Sequence, residues 1–68
     1  MKLVSISQKD ITLCLERDEL NFFCNAINEG LEALEDWEFH TRTGLSRSDA
    51  SALLAQLRRI SENWEQTP

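Results

Sequence analysis

Two apolar stripes with helical spacing flank one short connector, and together they restrict what this 68-residue chain can fold into. Leu20, Phe23, Cys24, Ile27, Leu31 and Leu34 recur at offsets of 0, 3, 4, 7, 11 and 14 residues, which places them on one face of an α-helix. Ala50, Leu53, Leu54, Leu57, Ile60 and Trp64 repeat at 0, 3, 4, 7, 10 and 14. The first helix is expected over residues 17–35, with Glu16, Asp18 and Glu19 crowding a first turn where the helix dipole favours negative charge. Gly30 is its weak point, costing ~1 kcal/mol against Ala, and marks either a kink or a close packing contact. The second helix starts at Ser46, the N-cap of a Ser46-Arg47-Ser48-Asp49 box, with Leu45 and Ala50 placed as a hydrophobic staple. It runs to about residue 63, and Gln66-Thr67-Pro68 is a frayed end.

Ahead of the helices the period changes. Ile11, Leu13 and Leu15 alternate with Thr12 and Cys14, the period-two pattern of a half-buried strand. Leu3, Val4 and Ile6 make an earlier extended run, and the polar residues Gln8-Lys9-Asp10 form the turn between them. Strands over residues 2–7 and 10–15 therefore form a hairpin. Because a two-stranded hairpin is marginal in water, it is expected to lie on the helices. The fold class is α+β: one domain, residues 1–68, in which an N-terminal β-hairpin packs on an antiparallel pair of α-helices, ββαα. Trp37 to Gly44 is the interhelix connector, with Gly44 at a turn of positive φ. The core is expected to bury Leu20, Phe23, Ile27, Leu53, Leu57 and Ile60.

Charge is segregated along the chain. The net charge is −5, which argues against direct nucleic-acid binding. Residues 16–38 hold eight acids against Arg17 alone, and residues 39–60 hold four arginines against Asp49. The helix faces attract each other, or the acidic one waits for a basic partner. No apolar run approaches the ~20 residues of a membrane span, and Met1–Ser7 lacks the apolar block of a signal peptide. The expected compartment is the cytoplasm, with Cys14 and Cys24 reduced and serving as small core hydrophobes.

Nothing in the chain carries catalytic spacing. His40 is the only histidine, the two cysteines are ten residues apart, and no CxxC or HxxxH pair exists, so no metal ligand set or cofactor is expected. Glu32 and Asp36 stand one helical turn apart without the pattern of a calcium loop. The chain reads as a binding module and not as an enzyme. Its candidate partner-binding residues are Glu29, Glu32, Glu35, Asp36 and Glu38, an acidic run with no base among them, together with Trp37, Asn25 and Asn28. Acidic fields steer encounter with basic partners, and an aromatic side chain among them is a natural anchor. Trp37 and Phe39 each fit the core or an interface, and core suits Phe39 better. Arg42 is placed to pair with Glu38 or Glu35.

The stretches Ile11-Thr12-Leu13, Glu19-Leu20, Asn25-Ala26-Ile27-Asn28-Glu29 and Glu38-Phe39-His40-Thr41-Arg42-Thr43-Gly44 resemble short bacterial immunity-type proteins encoded beside polymorphic or contact-dependent toxins. The resemblance covers about residues 11–60. Gly30 stands where that pattern carries a branched apolar residue, and Glu16 where it carries a Ser or Thr cap. The resemblance implies that Asn25, Asn28 and Glu29 mark a polar helix face, and that Phe39, Arg42 and Gly44 shape the turn after it; the Asn25 and Asn28 amides either bond to the hairpin or the interhelix turn or contact a partner. It implies a cytoplasmic protein that neutralises a toxin domain by covering a basic cleft with its acidic surface. Two alternatives stand beside it: a small structural or regulatory homodimer, and a phage-type acidic decoy that inhibits a nucleic-acid enzyme.

Overall fold

A computed structural model describes residues 1–67, so Pro68 of the expected frayed end lies outside the described residues. The chain is α+β: a two-stranded antiparallel hairpin, β1 (Lys2–Ile6) and β2 (Ile11–Cys14), is followed by α1 (Arg17–Ala33), α2 (Asp36–Thr43) and α3 (Arg47–Glu65). There are three helices where the periodicity predicted two. The segment expected to be a connector is helical because Glu35 is its N-cap and Glu38 reaches back to the Glu35 N–H at 3.5 Å. Asp36 and Glu38 fill its first turn, and His40 and Arg42 its last, an order that the helix dipole favours. Gly44 ends it with φ 83°, the left-handed conformation expected of it.

The helix pair is antiparallel as predicted. Arg17 at the start of α1 places its guanidinium 5.1 Å from the centre of the Trp64 ring near the end of α3. At the opposite end, Arg47 of α3 reaches the last turn of α1. Ser46 caps α3 by accepting the Asp49 N–H at 3.1 Å, the expected start. The expected end at residue 63 is passed by two residues. At α1, Glu16 stands as N-cap in place of Ser or Thr, and the Glu19 carboxylate accepts the Glu16 N–H at 3.0 Å. That bond, and then the Met1 ammonium beside it, hold the Glu19 carboxyl below the ordinary carboxylate range.

Among the described residues four are buried: Leu20, Phe39, Ala50 and Leu54. The expected core is thus only partly right. Leu20 is buried and Phe23, Ile27 and Leu57 are half-buried, but Leu53 and Ile60 are 39% and 54% exposed. The inward line of α3 runs through Ala50, Leu54, Leu57, Ser61 and Trp64, which puts Leu53 and Ile60 on its flank. Gly30 is a packing contact within an unbroken helix: a Cβ added there would stand 3.7 Å from Phe39 Cε2.

The hairpin departs most from expectation. Its turn is closed by Ser7, whose Oγ accepts the N–H groups of Lys9 and Asp10 and donates to Asp10 Oδ1 at 2.9 Å. This wiring does the work that glycine does in tighter hairpins. The hairpin does not lie on the helices, because every residue of both strands is exposed. Cys14, expected in the core, is exposed with them, while Cys24 is half-buried on α1. Among the described residues no helix is long and apolar enough to cross a membrane.

Candidate functional site

The predicted site residues are spread from the middle of α1 to the first turn of α2, where Glu38 is half-buried. Asn25, Glu29 and Glu32 lie exposed on α1, Asn28 is half-buried, and Glu35, Asp36 and Trp37 are exposed at the start of α2. Their order follows from the helix start. A chain that caps α2 with Glu35 and fills its first turn with acid must present Trp37 there too. Trp37 is 74% exposed, whereas Phe39, two residues on and therefore on the opposite side of α2, is buried beneath the Arg47 guanidinium, 5.6 Å from the ring centre. Of the two aromatics, Phe39, the better suited to the core, is buried, and Trp37 is exposed.

The acidic run that contains no base in sequence acquires bases in space. Asp36 pairs with Arg47, and Glu38 with Arg42 at 3.5 Å. Among the described residues, Glu29, Glu32 and Glu35 keep no ion pair. The Asn28 amide donates to Glu32 at 3.3 Å and accepts from Arg58 of α3 at 3.5 Å. Asn28 therefore ties α1 to α3, not to the hairpin or an interhelix turn. Asn25 makes no side-chain hydrogen bond among the described residues and faces solvent. His40 is exposed in the last turn of α2.

Arg47 is the residue that sequence reasoning undervalued. Its guanidinium donates to the carbonyl oxygens of Leu31 and Leu34 and pairs with Asp36. Those carbonyls belong to the end of α1, which carries no basic residue in its last turn and leaves acceptors that need donors. The only signal was an arginine directly after a cap residue, facing a helix end without bases. Arg47 of α3 thus contacts both the end of α1 and, through Asp36 and the Phe39 ring, α2.

Beside the α1–α2 corner an apolar groove of about 230 Å³ runs between the helices, lined by Ala26, Ile27, Gly30, Phe39, Leu45 and Leu53 among others. It is smaller than the ~300–1,000 Å³ of ordinary ligand pockets. No group of three or more His, Cys, Asp or Glu among the described residues is arranged to hold a metal ion. Comparison with protein-family models, curated proteins and solved structures finds no match.

Proposed function

We propose that the chain is a protein-binding module that docks on a basic surface of another protein through the α1–α2 corner. The observation that carries this reading is the exposed Trp37 side chain, standing next to Glu35 on a corner whose acids Glu29, Glu32 and Glu35 have no ion pair among the described residues. Leaving an indole in water forgoes its burial energy, and tryptophan is enriched among interface residues that dominate affinity. Carboxylates around such an anchor raise the association rate with a basic partner and reject acidic ones. The resemblance to immunity-type proteins supports a toxin domain as that partner, with the corner covering a basic active-site cleft.

The test is affinity capture from the native host, with surface plasmon resonance on whatever protein is captured. Trp37→Ala is expected to raise the off-rate, and Glu32→Lys to slow association at low salt, with the gap narrowing as salt rises. Captured proteins that bind the parent and both variants at the same rates across salt would overturn the reading. Asp36 is left unchanged in this test because it also pairs with Arg47.

A further inference from the structure

The hairpin has one apolar face that no described residue covers. Leu3 pairs with Leu13 and Ile6 with Ile11 across the strands, while Lys2 pairs with Cys14 and Ser5 with Thr12. Residues directly opposite share a face, and so do residues two apart on one strand. Ile11 and Leu13 therefore bring Ile6 and Leu3 onto their side. Leu3 and Ile6 are three apart and would normally point oppositely, but the register shifts between Leu3 and Ser5. A bulge of this kind resets the alternation. The result is four aliphatic side chains on one face, 44–68% exposed, with Lys2, Ser5, Thr12 and Cys14 on the other.

We infer that this face is covered by a second copy of the chain, hairpin against hairpin about a two-fold axis. Three observations select that occupant. The first is area. The chain exposes 5658 Å², against ~4,400 Å² expected of a folded monomer of its mass. This whole-chain excess of roughly 1,200 Å² exceeds the ~800 Å² that each partner buries in an ordinary specific interface, and five of the eleven exposed large apolar residues among the described ones, Leu3, Val4, Ile6, Ile11 and Leu13, lie on the two strands. The second is shape. The radius of gyration is 13.6 Å where ~11 Å is expected for this length, because the hairpin stands beside the helices and not on them. The third is charge. Residues 1–15 carry Lys2 and Lys9 against Asp10, so the acid that gives the chain its net −5 lies elsewhere. Copies that meet at the hairpin keep their mutually repelling acidic segments out of the contact. Face-to-face packing follows from the geometry, since pairing through strand edges would leave the four aliphatics in water. This inference does not depend on the α1–α2 corner.

Sedimentation equilibrium on the full chain tests it with two variants matched in charge. Ile11 and Thr12 are neighbours on β2 that point to opposite faces, so Ile11→Lys is expected to halve the measured mass while Thr12→Lys leaves it at twice the chain mass. Helical circular dichroism is expected to stay at the parent level in both, because the hairpin is not part of the helical core. Should Ile11→Lys lose its helical signal, the double variant Ile6→Thr/Ile11→Thr, which keeps strand propensity, is expected to give the same halving. In the parent, isotope-filtered nuclear Overhauser contacts between copies are expected at the methyl groups of Leu3, Ile6, Ile11 and Leu13. A parent that is monomeric throughout the micromolar range overturns the inference. So does a dimer that survives Ile11→Lys, or one whose intermolecular contacts lie on the helices.

Discussion

Arg47→Ala is the most informative single perturbation, because the structure separates the effects the arginine combines. Its guanidinium satisfies two carbonyls at the end of α1, pairs with Asp36 and covers the Phe39 ring. Stripping a donor from a partly buried carbonyl costs ~1–3 kcal/mol. The side chain is 35% exposed, so water takes over part of that role and the lower half of the range applies to each carbonyl. Loss of the cation–ring contact adds ~0.5–1 kcal/mol. The Asp36 carboxylate is 86% exposed, and a pair with so exposed a partner contributes ~0–1 kcal/mol. Arg47→Ala should therefore cost about 2.5–6 kcal/mol, as much as the ~3–5 kcal/mol that a core of this size supplies. Asp36→Asn should cost under ~1 kcal/mol. Arg47→Lys should lie between them, keeping the charge but losing the planar fork that reaches two carbonyls at once. Urea unfolding followed by circular dichroism resolves the three. Raising salt should erase the Asp36→Asn effect and leave most of the Arg47→Ala effect. If Asp36→Asn were as damaging as Arg47→Ala, the exposed ion pair and not the capping of α1 would hold the corner, and the reasoning would be wrong.

Leu54→Ala should cost ~2–5 kcal/mol, as expected at a buried site, while Ile60→Ala on the flank of α3 should stay within ~1 kcal/mol; equal thermal shifts would show that the inward line of α3 is misassigned. Gly30→Ala should raise stability by ~0.5–1 kcal/mol, since the new methyl meets Phe39 at 3.7 Å, an ordinary contact; a loss on thermal melting would show that the Phe39 ring has no room to accept it. The Glu19 carboxyl is held low by the Glu16 N–H and then by the Met1 ammonium, so its stabilising effect is complete above the ordinary carboxylate range and fades as pH falls through the lowered value. Unfolding midpoints of Glu19→Gln and the parent should therefore converge in acid, and a gap that widens as pH falls would contradict the assignment.

Much of the fold is legible because the residues that decide it act locally. Ser46, Gly44, the α1 stripe and the alternation of β2 each report a backbone preference that tertiary contacts leave unchanged. The short helix α2 was missed for an identifiable reason. Its cap is Glu35, outside the usual Ser, Thr, Asp and Asn set, so the acidic start and basic finish between Glu35 and Gly44 were read as charge and not as helix boundaries. The acidic run contains no base in sequence, and the pair that Arg47 makes with Asp36 is not legible there because the two are eleven residues apart. Spacing shows pairs within one helix, such as Glu38 and Arg42, and is silent about pairs made across a helix junction.

The hairpin shows a different limit. Alternation at Ile11 and Leu13 identifies a face that wants burial, and the reasoning that it must lie on the helices assumed that burial happens within one chain. The helices meet each other along Ala50, Leu54 and Leu20, and the hairpin stands outside that contact. Alternation is a property of the strand, whereas the partner of its apolar face is a property of the assembly. A molecule only 16 Å across its thinnest dimension has no second layer to supply that partner. The marginal stability of a lone hairpin is therefore an argument for a second chain.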